Sequence, residues 1–457
     1  MGTVGLNFGS ATSGTGFDVT TTVNSILAIQ QGIETPWKTQ LTALQAQDTV
    51  FSTLGTDLST LTTSLQSLTD ASGALAEKEG SSSDTSILTL TSASTAAVAG
   101  SHTVVVNSLA ATSSKYSAPI ANASDTLSGT LTIAVGSGSA QTITIGSTND
   151  TLTTLSAAIN AADVGVTASV ITDANGSRLS LVSGTSGASG DITLGGTLTD
   201  ATTSSTVGFS TGQTGANASL TVDGVAISSP SNTVTGAIPG VTFQLLSQSP
   251  ATNVQVQVTN DNAAVETAVN TLVTSYNAVI KDINTQEGKD STGAAEPLFG
   301  STTLSQIQTE LQSALYSGTA SGGISSITQL GLSVGTDGTL TLDTSALDAT
   351  LNSNFAGVTG YLQNTGSFGQ NLAKILNNLG SLAPNGAIYL AQQQNASEEA
   401  ALNKSVANEE TLIATERTNL TAELNTANQI LQSIPQQLDQ INEIYSAVTG
   451  YNQNLNG

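Results

Sequence analysis

The chain has 457 residues, enough for about three domains at roughly 150 residues each. Its charge sets it apart: Asp, Glu, Lys and Arg make up 9% of residues against the usual ~25%, and 9 basic against 33 acidic residues give a formal −24. So few cations cannot neutralise a row of phosphates, which excludes nucleic-acid binding and disfavours anionic membrane surfaces. With no Cys, disulfides, thiol catalysis and thiolate metal sites are excluded too, and no cofactor is expected. The first residues carry neither a basic n-region nor a continuous apolar core, so no Sec-type signal is expected. No apolar run reaches the ~18 residues of a membrane span, and no membrane insertion is expected.

In chain order, the first amphipathic stripe is Val19, Val23, Ile26 and Ile33, with Asp18 placed as an N-cap and Gly32 as a break before Pro36. From Trp37 the apolar positions are Leu41, Leu44, Phe51, Leu54, Leu58, Leu61, Leu65 and Leu68, mostly at alternating spacings of three and four, with Asp48 at one polar position of the seam. Trp37 reads as a packing residue at its head. A helix over 37–68 would be about 48 Å long and needs a long partner.

The middle of the chain has another period. Short runs rich in Val, Ile and Thr at 102–106, 131–135, 142–145, 166–171, 179–182, 220–222, 241–246 and 254–258 alternate as strands do, with Asn175-Gly176 and Asp223-Gly224 as hairpin turns. The Ser/Gly/Thr-rich stretch 183–214 reads as a long loop or domain edge. Helical spacing resumes at Val265, Val269, Leu272, Val273, Tyr276, Val279, Ile280 and Ile283, and a hairpin is expected at 332–342 around Asp337-Gly338. Near the end, Leu402, Val406, Ile413, Leu420, Leu424, Leu431 and Ile434 form the partner stripe. Pro435 is expected to interrupt it, with Leu438, Ile441, Tyr445 and Val448 starting a second amphipathic stretch.

The fold class expected is α+β and multidomain: a helical, coiled-coil leg made by both chain ends, with nested antiparallel β head domains between. The boundaries expected are a terminal segment 1–35 pairing with 435–457, a leg of 36–79 completed by 259–434, a β head of 80–118 plus 214–258, and an inserted β domain of 119–213. The two long seams pair within one subunit on this reading. The stripes Val19, Val23, Ile26, Ile33 and Leu438, Ile441, Tyr445, Val448 are too thinly apolar to fold alone, and are assigned to assembly or partner binding.

The catalytic inventory is poor. Two G-x-S-x-G matches, at 208–212 around Ser210 and at 331–335 around Ser333, lack the later His that a hydrolase triad of this type requires. The single His, His102, opens an alternating strand, where a partly exposed structural position is the ordinary expectation. The acidic residues are spread along the chain and read as a solvated surface. No enzyme and no metal site are expected.

Several segments carry a resemblance. Gly14-Thr15-Gly16-Phe17-Asp18-Val19, Gly100-Ser101-His102-Thr103-Val104-Val105-Val106-Asn107-Ser108-Leu109-Ala110, Leu220-Thr221-Val222-Asp223-Gly224-Val225, Ile238-Pro239-Gly240-Val241-Thr242-Phe243 and Val273-Thr274-Ser275-Tyr276-Asn277 resemble, in order, segments of the flagellar filament cap family. Ala158-Ile159-Asn160 with Ala168-Ser169-Val170 looks like the flagellin Ile-Asn motif. The resemblance implies an extracellular cap at the filament tip, exported by the flagellar apparatus itself. It also implies a ring homo-oligomer, pentameric in the expectation, that retains flagellin and promotes its folding. The hook–filament junction protein and a flagellar export chaperone are further partners on this view. Another axial protein, or an adhesin whose Thr-rich β surface binds glycans, are the alternatives.

Overall fold

The computed structural model describes residues 13–450 and divides into two compact units, one running to Thr69 and resuming at Ala268, the other Asp70–Thr267. The division falls after 69 and before 268, rather than after 79 and before 259. A strand at 78–82 is the cause: it is laddered into the β unit and carries the preceding turn with it.

The first helix, α1 (Val19–Thr69), is continuous, with Pro36 inside it. Asp18 caps it, accepting from the Thr21 amide (3.1 Å) and hydroxyl (2.7 Å). The break expected at Gly32 does not occur. Pro36 forgoes only its bond to the Gly32 carbonyl, and both residues are exposed, so water can take the orphaned oxygen. Leu44, Phe51, Leu54, Leu58, Leu61, Leu65 and Leu68 are buried along one stripe, while Trp37 and Leu41 are half-buried. On the outer face Thr53, Thr56, Thr60 and Thr63 donate their hydroxyls to the carbonyl four residues back, which keeps a nearly uncharged helix polar.

In the β unit, β1 (Lys78–Ser82), β2 (Leu88–Ala93) and β3 (Gly100–Ser108) begin the head. The chain then makes β4 (Thr112–Ser117), β5 (Leu127–Val135), β6 (Gln141–Ile145), α2 (Leu152–Ala161), β7 (Val166–Asp173), β8 (Gly176–Ser186), β9 (Ile192–Asp200), β10 (Ser205–Thr206) and β11 (Phe209–Gln213). It returns to the head with β12 (Ala218–Val222), β13 (Val225–Ser229), β14 (Thr233–Ile238), β15 (Val241–Leu245) and β16 (Ser249–Asn260). The head pairs a sheet β1-β16-β3-β12-β13 with a sheet β14-β15-β2. Its core comes from alternating positions: Val104 and Val106 of β3, Leu220 and Val222 of β12, Val254, Val256 and Val258 of β16, and Phe243 of β15.

The insert has its own core and two sheets, β10-β9-β5-β6 and β11-β4-β8-β7, closed by Leu152, Leu155 and Ile159 of α2. Asn160 explains why its motif recurs at this place. Its side-chain amide donates to the Ala168 carbonyl and accepts from the Ala168 amide, both at 2.8 Å, tying the helix end to β7. Since β4 and β11 belong to this sheet pair, the insert spans about 111–213 rather than 119–213.

The stretch expected as loop, 183–214, contains β9 and β11. Ile192, Leu194 and Leu198 of β9 face the core in alternation, but Gly195-Gly196 interrupts the pattern. Gly196 has φ +85°, and a Cβ there would lie 2.5 Å from the Thr130 carbonyl oxygen, so close strand approach requires glycine. The Asp223-Gly224 turn between β12 and β13 has φ of 50° and 83°, the positive pair that a two-residue hairpin demands.

The helical unit continues with α3 (Asn262–Gln286), α4 (Thr302–Ala314), β17 (Leu332–Val334) and β18 (Leu340–Leu342), α5 (Thr344–Gln363), α6 (Phe368–Leu379) and α7 (Ala387–Thr449). β17 and β18 form the hairpin expected around Asp337-Gly338. The Asn277 side chain of α3 donates to the Leu340 carbonyl (2.8 Å) and accepts from the Leu340 amide (2.7 Å), docking that hairpin on the helix. α7 is also unbroken, with Pro435 inside it. The lost amide bond and ring clash cost about 3 kcal/mol, set here against cooperative propagation on both sides of a 63-residue helix, and the expected interruption is absent.

Candidate assembly surface

α1 and α7 lie antiparallel, and the side chains joining them give the register. Asn395 donates to Asp48 (2.8 Å), Lys38 reaches Glu410 (3.2 Å), Arg417 donates to Asn24 (2.6 Å), and the Phe17 amide donates to Asn428 (2.8 Å). A Cβ on Gly14 would lie 3.0 Å from the Pro435 ring. Partners therefore climb α7 as positions fall along α1. Asp48 is the polar seam position legible in the sequence, and Asn395, buried to 8% exposure, satisfies it. Lys38 also bonds Glu34 at 2.6 Å, and that contact first, then Glu410, raises its pKa.

At the centre of this end of the seam Val19, Val23, Leu27 and Ile413 are buried, with Phe17, Leu420 and Leu424 packed on them. This corrects two expectations. Residues 14–38 pair with about 410–435 of the same chain, not with 435–457; residues 1–12 and 451–457 lie outside the described part. Val19 and Val23 thus have an intrachain partner and need no assembly to be covered. Leu27 takes the buried place one turn above Val23, while Ile26 beside it is half-buried and Ile33 is 50% exposed. The four-residue step Val23 to Leu27 was the available signal. Leu402, Val406, Leu431 and Ile434 are half-buried along α7.

Past Pro435 the surface changes. Leu438, Ile441, Tyr445 and Val448 share one face at three- and four-residue spacing and are exposed, from 43% at Leu438 to 80% at Val448, with Ile444 beside them at 64%. No basic residue follows Arg417 in the sequence, while Glu423, Asp439 and Glu443 do, so this apolar stripe is set in an acidic helix.

Of the three residues weighed for chemistry, His102 and Ser333 make structural hydrogen bonds. His102 Nδ1 lies 2.7 Å from Asp223 Oδ2, and the other carboxylate oxygen accepts from the Thr103 amide (2.8 Å), clamping β3 to the β12–β13 turn. The His102 bond, then the Thr103 amide, holds the Asp223 carboxyl below its usual range. Ser210 lies within β11 opposite Tyr116, and Ser333 bonds Thr341 across the β17–β18 hairpin at 2.7 Å; neither stands at a strand-to-helix elbow. Among the described residues no three His, Cys, Asp or Glu side chains converge as a metal site, and no helix is long and apolar enough to cross a membrane.

One carboxyl in the helical unit is perturbed the other way. Burial, and then a hydrogen bond and charge repulsion from Asp282 on α3, push Asp57 of α1 up to about 6. An acid whose folded pKa is raised binds more protons folded than unfolded, so its favourable contribution is present at low pH. It is lost as pH rises from the unfolded value through about 6. Asp57→Asn is expected to stabilise the helical unit at pH 7.5 by about 1 kcal/mol after solvent screening, and to leave it unchanged near pH 4. Thermal unfolding at both values checks this; equal shifts at both would contradict the repulsion.

Two family models match the chain: flagellar hook-associated protein 2 N-terminus over residues 15–113 and flagellar hook-associated protein 2 C-terminus over 215–447. The flagellar hook-associated protein 2 of Escherichia coli K12 is 30% identical over 370 residues, covering 76% of this chain and 78% of that protein. The B-type flagellar hook-associated protein 2 of Pseudomonas aeruginosa PAO1 is 33% identical over 314 residues, or 62% of this chain and 65% of that relative, slightly under two thirds of its length. The crystal structure of the D1-D2-D3 domains of the Escherichia coli flagellar cap protein FliD superposes with a TM-score of 0.57 at 28% identity, covering 76% of this chain and 99% of that one. It shares long terminal helices around central antiparallel sheets. With its helical ends and both flanks of its β head matched in order, this chain belongs to the flagellar hook-associated protein 2 family, the flagellar filament cap proteins.

Proposed function

We infer that the protein sits as a ring homo-oligomer at the distal tip of the filament, retains exported flagellin there and lets each subunit fold into the growing end. The observation that carries this reading is the stripe Leu438, Ile441, Tyr445 and Val448, uncovered at the end of a helix that is zipped along α1 as far as Pro435. Such a stripe is shaped for the amphipathic helix of a partner, and its burial supplies roughly 1.5 to 3 kcal/mol per side chain. Flagellin is the partner proposed. No bond-making step is required of the cap on this reading. Export through the flagellum, without a Sec signal, and a pentameric ring belong to the same proposal.

The double substitution Ile441→Ser with Val448→Ser tests it. Both side chains are already exposed, so helicity and melting should be unchanged. Filament growth should fall at least tenfold, since two buried contacts are lost from every subunit. Normal filaments on cells carrying only this variant would refute the role of the stripe.

A further inference from the structure

The insert of the β unit is not fully closed. β10 pairs with the end of β9 over two residues, and the chain then leaves β9 to run as β11 along β4 in the other sheet. Where the two strands diverge, a groove of about 500 Å³ opens, with 192–198 on one wall and 206–211 on the other.

Both walls are sheet edges. On β9 the Ile192 amide donates to Ser113 Oγ (3.0 Å) and the Leu198 carbonyl accepts from the Val207 amide (2.8 Å), so the even-numbered residues turn their peptide groups away from β5. On β11 the Gly208 carbonyl accepts from the Ala118 amide (2.7 Å), so Phe209 and Thr211 turn theirs away from β4. The N–H and C=O groups of Leu194, Gly196, Phe209 and Thr211 therefore border the groove with no strand partner among the described residues. Natural sheets protect such edges, by charge, by Pro or by covering them. Here two edges flank one gap.

We propose that this seam is a strand-addition site, which takes an extended segment of a second polypeptide, uncharged through its middle and carrying a carboxylate at one end. Unpaired amides and carbonyls alternating along two facing edges are satisfied by a peptide backbone, whereas a sugar offers hydroxyls without that repeat. Gly195-Gly196 puts no side chain at the middle of the β9 wall, so an incoming backbone can approach closely there. Charge sets the rest of the specificity. Lys115 is the cation in the lining and makes no ion pair within 4 Å among the described residues; its ammonium donates to Thr211 Oγ1 (2.9 Å). The acidic residue nearby, Asp191, accepts from the Gly215 amide (3.1 Å) and Ser113 Oγ (2.8 Å), and these bonds, then the Lys115 charge, hold its carboxyl below the usual range. A carboxylate on the guest would meet the Lys115 ammonium, which a single threonine hydroxyl holds at the groove.

The test uses the full chain and a blocked heptapeptide, Thr-Val-Ser-Val-Thr-Val-Asp, beside the same peptide N-methylated at alternate residues, which has nearly the same side-chain surface but cannot complete a ladder. Residue-resolved amide exchange should slow at least tenfold at Leu194, Gly196, Phe209 and Thr211 with the first peptide and stay unchanged with the second. Thr211→Pro, which removes a groove-facing amide outside the β4 ladder, should weaken binding at least tenfold. If that variant does not fold, the N-methylated peptide still decides. Equal protection by both peptides, protection of none of the four amides, or a neutral oligosaccharide perturbing them where the peptide does not would overturn strand addition.

Discussion

Cells lacking this protein are expected to build the hook and then release unpolymerised flagellin into the medium, with few or no filaments. The expectation rests on effective concentration. A subunit held at the growing tip meets its site at a millimolar-like local concentration, while one that escapes is diluted into the surroundings before it folds. Counting filaments by electron microscopy and measuring flagellin in the medium reads both sides of that balance. Restoring the protein with His102→Ala or Ser333→Ala should recover filaments fully, because each side chain makes a single structural hydrogen bond, to Asp223 and to Thr341. Full-length filaments on the deletion strain would remove the cap reading, and loss of growth with folded His102→Ala would reopen an enzymatic one.

The second large effect is on the helical unit itself. Leu58→Ala, at a position 1% exposed in the α1 stripe, should destabilise it by about 2–5 kcal/mol, through lost transfer energy and the cavity left behind. A domain has only about 5–15 kcal/mol to lose, so the helical transition should move well down in temperature or urea. The change Leu438→Ala, on a residue 43% exposed, should shift it far less. Because the chain forms two compact units, the β transition serves as an internal reference and should stay in place. Equal effects of the two substitutions would mean that the stripe from Leu44 to Leu68 does not hold the helices together.

The parts legible in the sequence are those where one period persists. From Leu54 to Leu68 every seam position is buried, so the three-four spacing reports directly on packing. The hairpin turns were legible because positive φ needs particular residues, and Asp223-Gly224 supplies them. The rules that mislead concern punctuation. Gly32 with Pro36 and Pro435 would end an isolated helix, yet here long helices continue through them, one beside exposed backbone and the other within a zipped pair. β9 was hidden by composition, since Gly195-Gly196 breaks its alternation for a backbone approach that no local pattern reveals. α6 carries a plain signal in Phe368, Leu372, Leu376 and Leu379, which a reading centred on the chain ends passes over. At the assembly surface, Leu438, Ile441, Tyr445 and Val448 were legible as a stripe. That Val19 and Val23 are covered by the same chain was not, because antiparallel register depends on where two distant helices begin.

Imaging filaments from cells that carry a site-specifically labelled copy of this chain, at native expression, tests the central claim most directly. The account predicts a single cluster of label at the distal end of each filament, present while the filament grows. Label distributed along the filament, confined to the hook–filament junction, or spread over the cell surface would contradict it.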